Sequence, residues 1–166
     1  MILINLKNKI DLILKWCLVF IISFMTINVL WQVFTRFVLK NPSSITEELA
    51  RYMLVWLGIL GASYVAGQKM HLAIDLLSTK LNGIKKSLLE IIIQAFIFLF
   101  SFFVMLIGGI RLVQITLSLN QISAALQIPL GYVYLVLPIS GILIMFYSTV
   151  FIVEQVRIIK STRISK

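Results

Sequence analysis

The chain of 166 residues contains one cysteine, one histidine, three prolines and six acidic residues, and only 13% of it is charged. A lone Cys17 permits no intramolecular disulfide, dithiol redox pair or thiolate metal cluster. His71 lacks the companion histidines and cysteines that complete a coordination shell. The acidic residues are Asp11, Glu47, Glu48, Asp75, Glu90 and Glu154, and each falls at or beyond the end of an apolar run. A carrier working alone is expected to hold an ionisable group near the bilayer centre, and that group is missing. So are the internal repeat and paired broken helices of many secondary transporters, and the converging acid, base and nucleophile of an enzyme. The scarcity of charge also excludes a water-soluble domain, in which about a quarter of residues are charged.

What is present in quantity is apolar: 60% of the residues are hydrophobic and the mean hydropathy is +1.04. A spanning helix needs roughly 20 apolar residues, and runs of that order occur at Trp16 to Thr35, Tyr52 to Gln68, Ile91 to Ile110 and Ile128 to Val153. The expectation is an all-α integral membrane protein forming a single domain over 1–166, with spans near 13–38, 47–68, 88–117 and 128–155. The first run follows Lys7, Lys9 and Lys15 as a secretory signal would. It is longer than a signal core of about 7 to 15 residues and has no A-x-A site after it, so it reads as an uncleaved helix.

Basic residues favour the cytoplasmic side. They gather in the N-terminal tail, at Lys69, Lys80, Lys85 and Lys86 in the second connection, and at Arg157, Lys160, Arg163 and Lys166 in the C-terminal tail. Arg36, Lys40, Arg51 and Arg111 are left for the other side, so both termini are expected in the cytoplasm. The formal net charge of +9 then reflects topology and attraction to anionic lipid, and nucleic acid is not expected as a partner because the basic residues are dispersed. Leu72 to Leu89 mixes apolar residues with lysines and reads as a short interfacial helix on the cytoplasmic side, followed by a turn into the third span. Within or beside it, His71 and Asp75 stand at i, i+4, a spacing suited to an orienting hydrogen bond.

Ser44-Ile45-Thr46-Glu47 has the spacing of a capping box at the start of the second span. Glu47, Glu48 and Arg51 are expected to form one charged cluster there, either as a balanced helix entrance or as a contact point for a partner. Gly58, Ala62 and Ala66 repeat at i, i+4 and i+8 with Gly61 beside them, a stripe that lets a second helix backbone approach closely. Asn28, Gln32 and Arg36 share one face of the first span as interhelical hydrogen-bonding groups. Pro129 suits the first turn of the fourth helix, and Pro138 should bend it.

Arg36-Phe37, Thr46-Glu47-Glu48-Leu49-Ala50-Arg51-Tyr52, Val55-Trp56-Leu57, Leu60-Gly61-Ala62 and His71-Leu72-Ala73-Ile74-Asp75-Leu76-Leu77 resemble, in order and spacing, the small membrane subunit of tripartite ATP-independent periplasmic (TRAP) transporters, the DctQ type. The resemblance implies a multi-pass protein of the bacterial inner membrane; from the residues themselves no cofactor, metal or catalysis is expected. It pairs with a large, many-helix subunit and works with a periplasmic solute-binding protein. It also implies that the large subunit carries substrate and sodium in an elevator motion while the small subunit braces its scaffold. With little sequence after the fourth run, that partner is expected to be a separate polypeptide. Family substrates are mostly organic acids, including C4-dicarboxylates and sialic acids; sialic acid is one candidate here, and no residue selects it. Partner-facing or structural roles fall to Arg36, Glu47, Glu48, Arg51, Trp56, Gly58, Gly61, Ala62, His71 and Asp75. A small autonomous carrier is the alternative reading.

Overall fold

The computed structural model describes residues 2–41, 43–68 and 84–164. The elements are α1 (Ile2–Phe37), α2 (Ser44–Gly67), α3 (Ile84–Phe100), a π-helical segment (Ser101–Gly108), α4 (Gly109–Ser118), α5 (Leu130–Tyr134) and α6 (Val136–Ile164). They supply four helices long and apolar enough to cross a bilayer: Asn5–Phe37, Ser44–Gly67, Lys85–Ser118 and Leu130–Lys160. The third passes through α3, the π segment and α4 without a break, and the fourth through α5 and α6. Among the described residues the β content is one isolated bridge, Ile122 to Pro129. The protein is an all-α, four-span membrane protein. His71, Asp75 and most of the expected interfacial helix lie outside the described residues.

The first and third spans extend well past their uncharged runs. At 1.5 Å per residue, the 36 residues of α1 measure about 54 Å, against a hydrocarbon core of about 30 Å. Apolar runs end at charges, but helices need not, since Lys, Glu and Gln are good helix formers.

The spans form an open layer rather than a closed bundle. The first packs on the second and at one end on the fourth, the second on the fourth and the fourth on the third; among the described residues the third span packs on neither the first nor the second. The fourth span is therefore central, with half of its most apolar window buried, whereas the third is buried over only 6% of its window. Leu14, Leu60, Val136, Tyr147 and Phe151 form the buried apolar cluster joining the first, second and fourth spans.

Glycine sets the closest approaches. A Cβ at Gly141 would lie 3.0 Å from the Met105 Cβ, 3.1 Å from the Leu106 amide nitrogen and 3.2 Å from the Ser101 carbonyl oxygen. The fourth span thus rests directly on the π-segment backbone. Gly67 similarly admits the Tyr147 ring, which a Cβ would meet at 2.6 Å. The fourth span is interrupted at Leu135, not at Pro138 itself. Pro138 has no N–H to offer the Tyr134 carbonyl and its ring crowds that carbonyl, so the break falls three to four residues upstream.

Candidate functional site

The start of the second span is capped one residue earlier than the sequence spacing predicts. Ser43, not Ser44, is the N-cap: its Oγ accepts from the Thr46 amide at 3.4 Å, and the Thr46 hydroxyl donates to the Ser43 carbonyl at 2.9 Å. Asn28, buried in the first span, donates to the Thr46 carbonyl at 2.7 Å and ties the first span to this turn. It thus acts as the interhelical group its position suggested.

The expected cluster of Glu47, Glu48 and Arg51 is divided. Arg51 pairs with Glu47 at 3.4 Å, with both side chains more than 60% exposed, a geometry worth at most about 1 kcal/mol. Glu48 turns about 100° around the helix from its neighbour, as consecutive helical residues do, and points at the connection between the third and fourth spans. Its Oε1 accepts from the Tyr52 hydroxyl at 2.7 Å and the Ala124 amide at 3.2 Å. Its Oε2 accepts from the Ser123 hydroxyl at 3.1 Å and from the amides of Ala125 at 2.7 Å and Leu126 at 2.9 Å. One carboxylate thereby satisfies two hydroxyls and three consecutive backbone amides.

The receiving loop is shaped for this. Asn120 and Gln127 adopt positive φ, 49° and 56°, turning the chain at either end. The Ser123 amide donates to the Ile128 carbonyl, and the Leu130 amide to the Gln121 carbonyl, both at 2.9 Å. The result is a closed, uncharged loop whose inner amides face Glu48 while Leu119 and Ile122 stay exposed on its outside. The sequence between Ser118 and Gln127 carries no charge, so the loop has donors and no anion, and Glu48 supplies one. The i, i+4 spacing of Glu48 and Tyr52 was the one local signal.

At the opposite end of the layer Asp11 plays a similar role. It accepts from Lys7 Nζ at 2.7 Å, from the Tyr147 hydroxyl at 2.6 Å and from Gln68 Nε2 at 3.2 Å, joining the first, second and fourth spans. Lys7 also stands over the rings of Tyr147 and Phe151 at 5.7 and 5.8 Å. Gln155 donates to Glu90, linking the fourth and third spans. Mid-span, the hydroxyls of Ser63 and Ser140, both fully buried, bond to one another, and Ser140 donates to the Ile59 carbonyl at 2.9 Å. Such pairs satisfy hydroxyls where no water is available. Neither tie is visible in the sequence, because Ser63 and Ser140 are 77 positions apart and Asp11 is 57 and 136 positions from Gln68 and Tyr147.

The remaining site residues are dispersed. Arg36 is exposed in the last turn of α1, where a cation suits the helix dipole. Trp56 is half-buried and lines a shallow apolar groove with Ile21, Met53, Ile128 and Tyr132. Gly58 and Gly61 have no atom of another element within 4 Å of an added Cβ, and Ala62 is exposed, so this part of the stripe is open within the chain. Among the described residues no three of His, Cys, Asp and Glu come together as a metal site.

Four long apolar helices joined by polar contacts define a multi-pass α-helical membrane protein. The family model for the DctQ component of tripartite ATP-independent periplasmic transporters matches residues 25–158, most of the chain. The chain belongs to that family of transporter subunits and is a bacterial inner-membrane protein. A Haemophilus influenzae relative named "Putative TRAP transporter small permease protein" is 29% identical over 140 residues, covering 84% of this chain and 85% of the relative.

Proposed function

We propose that this chain braces a separate large TRAP subunit, which itself moves an organic acid with sodium after delivery by a periplasmic binding protein. The observation that carries this reading is the open layer. The third span packs on the fourth alone, as in a protein whose burial is completed by another membrane protein. The carboxylates of Glu48 and Asp11 are consumed by internal hydrogen bonds at the two ends, and the polar groups meeting mid-span are neutral serines. That arrangement suits a scaffold better than an ion path. Exposed Arg36 and the Glu47–Arg51 pair are the charged groups in this reading that face a partner or the headgroups.

Vesicles holding this chain alone should take up no organic acid under a sodium gradient, and vesicles holding it with the large subunit and loaded binding protein should. Robust sodium-driven uptake by the chain alone would establish the autonomous carrier instead.

The proposed orientation places both termini and the Lys69 to Lys86 connection in the cytoplasm, following the basic residues. In a Cys17→Ser background, a membrane-impermeant thiol reagent applied to spheroplasts should label Ser43→Cys and Asn120→Cys and spare Ser78→Cys. Labelling of Ser78→Cys in sealed spheroplasts reverses the orientation.

A further inference from the structure

The second and third spans both pack on the fourth, and on one face of the layer they border a shallow groove of about 350 Å³. Its lining includes Ala62 and Ala66 of the second span, Phe96, Phe100 and Ser101 of the third and Ile144 of the fourth. The small-residue stripe borders it, and toward the start of α2 that stripe continues at Gly58, where an added Cβ would meet nothing. Ser101 is the second, independent observation. It is 1% exposed and its hydroxyl has no hydrogen-bond partner. It also sits at the middle of the 34-residue third span, where the bilayer offers no water to complete it. Two other buried serines of the spans, Ser63 and Ser140, are paired with one another, whereas the Ser101 hydroxyl has no partner.

From this juxtaposition we infer that the groove receives one transmembrane helix of the large subunit, which meets the Ala62 stripe with its backbone and hydrogen-bonds to Ser101. The inference rests on the scaffold reading above and specifies the face it uses. A lipid acyl chain fits the volume but carries neither donor nor acceptor, so it leaves the hydroxyl as it is. A helix brings polar side chains and carbonyls, and exposed small residues let its backbone come close. A serine hydroxyl reorients among staggered χ1 positions, so Ser101 turns toward the incoming helix as the groove fills.

The test uses the small chain co-expressed with its large subunit. A photoreactive benzoylphenylalanine at Ala62 or Phe96 should cross-link to the large subunit in the intact complex. Ser101→Ala should weaken subunit association roughly 3-fold, the usual effect of one interhelical hydrogen bond in a membrane. The same substitution should leave unchanged or raise the melting temperature of the small chain alone, since it removes an unsatisfied hydroxyl. Ser101→Thr, which keeps a hydroxyl, should retain association. An intact complex whose Ala62 and Phe96 probes label only phospholipid, or only a second copy of this chain, overturns the groove assignment and leaves the scaffold reading standing. So does unchanged association in Ser101→Ala. Failure of the unmodified chain to co-purify with the large subunit removes both.

Discussion

Gly141→Leu is expected to destabilise the folded chain by about 1 to 3 kcal/mol, the usual range for overpacking, and to loosen the third span from the fourth. The Cβ of any larger residue falls 3.0 to 3.2 Å from the Met105 Cβ, the Leu106 nitrogen and the Ser101 carbonyl oxygen. Two of those atoms belong to the π-segment backbone, which cannot rotate aside as a side-chain tip can. Relief requires the two spans to separate, and the third span has no other neighbour among the described residues to hold it. Gly58→Leu is the matched control: nothing lies within 4 Å of its added Cβ, so the isolated chain should melt as the unmodified protein does. Thermal unfolding of the detergent-purified chain, followed by size-exclusion fluorescence, distinguishes the two. Equal melting temperatures for Gly141→Leu and Gly58→Leu would mean that the contact between the π segment and the fourth span does not exist.

Glu48→Ala is expected to free the loop between the third and fourth spans. The substitution strands the amides of Ala124, Ala125 and Leu126 and the hydroxyls of Ser123 and Tyr52 without their shared acceptor. Hydrogen bonds to a charged group are among the stronger ones, and exchange reports their opening locally. Amide exchange at Ala124 to Leu126 should therefore quicken on the order of tenfold or more. Glu48→Gln should do nearly as much, because its amide group presents donors to a ring of donors. Glu47→Gln, one residue away, should leave the loop protected, since Glu47 meets only the exposed Arg51. Unchanged exchange in Glu48→Ala, measured by mass spectrometry on peptides covering 119–129, would remove Glu48 from the role of loop anchor.

The contrast between Glu47 and Glu48 shows where sequence reasoning stops. Both carboxylates fall within reach of Arg51 by helical spacing, and local geometry made a single cluster the natural expectation. Glu48 goes elsewhere because a loop more than 70 residues away presents three consecutive amides. Nothing near Glu48 encodes that loop, though Tyr52 one turn later gave a partial sign. The N-cap falls at Ser43 rather than Ser44, and because both are serines the residue types alone do not choose between them. Gly58 and Gly61 of the small-residue stripe meet nothing within the chain, and the close approaches are made instead at Gly67, Gly109, Gly131 and Gly141. Periodicity finds a face; it does not say what covers it.

The sequence by itself determined the solvent, the helical class and the number of spans. Bilayer thickness is a one-dimensional constraint, and within hydrocarbon a chain must satisfy its backbone locally, so apolar run length suffices. It also carried, in its ordered motifs between Arg36 and Leu77, the family to which the chain belongs. Only the tertiary structure decided that the spans lie in an open layer with the fourth at its centre, that the third contains a π segment under Gly141, and that Glu48, Asp11 and the Ser63–Ser140 pair are its polar ties. Apolar helices are nearly interchangeable to lipid, so their order depends on packing and hydrogen bonds between residues far apart in the chain.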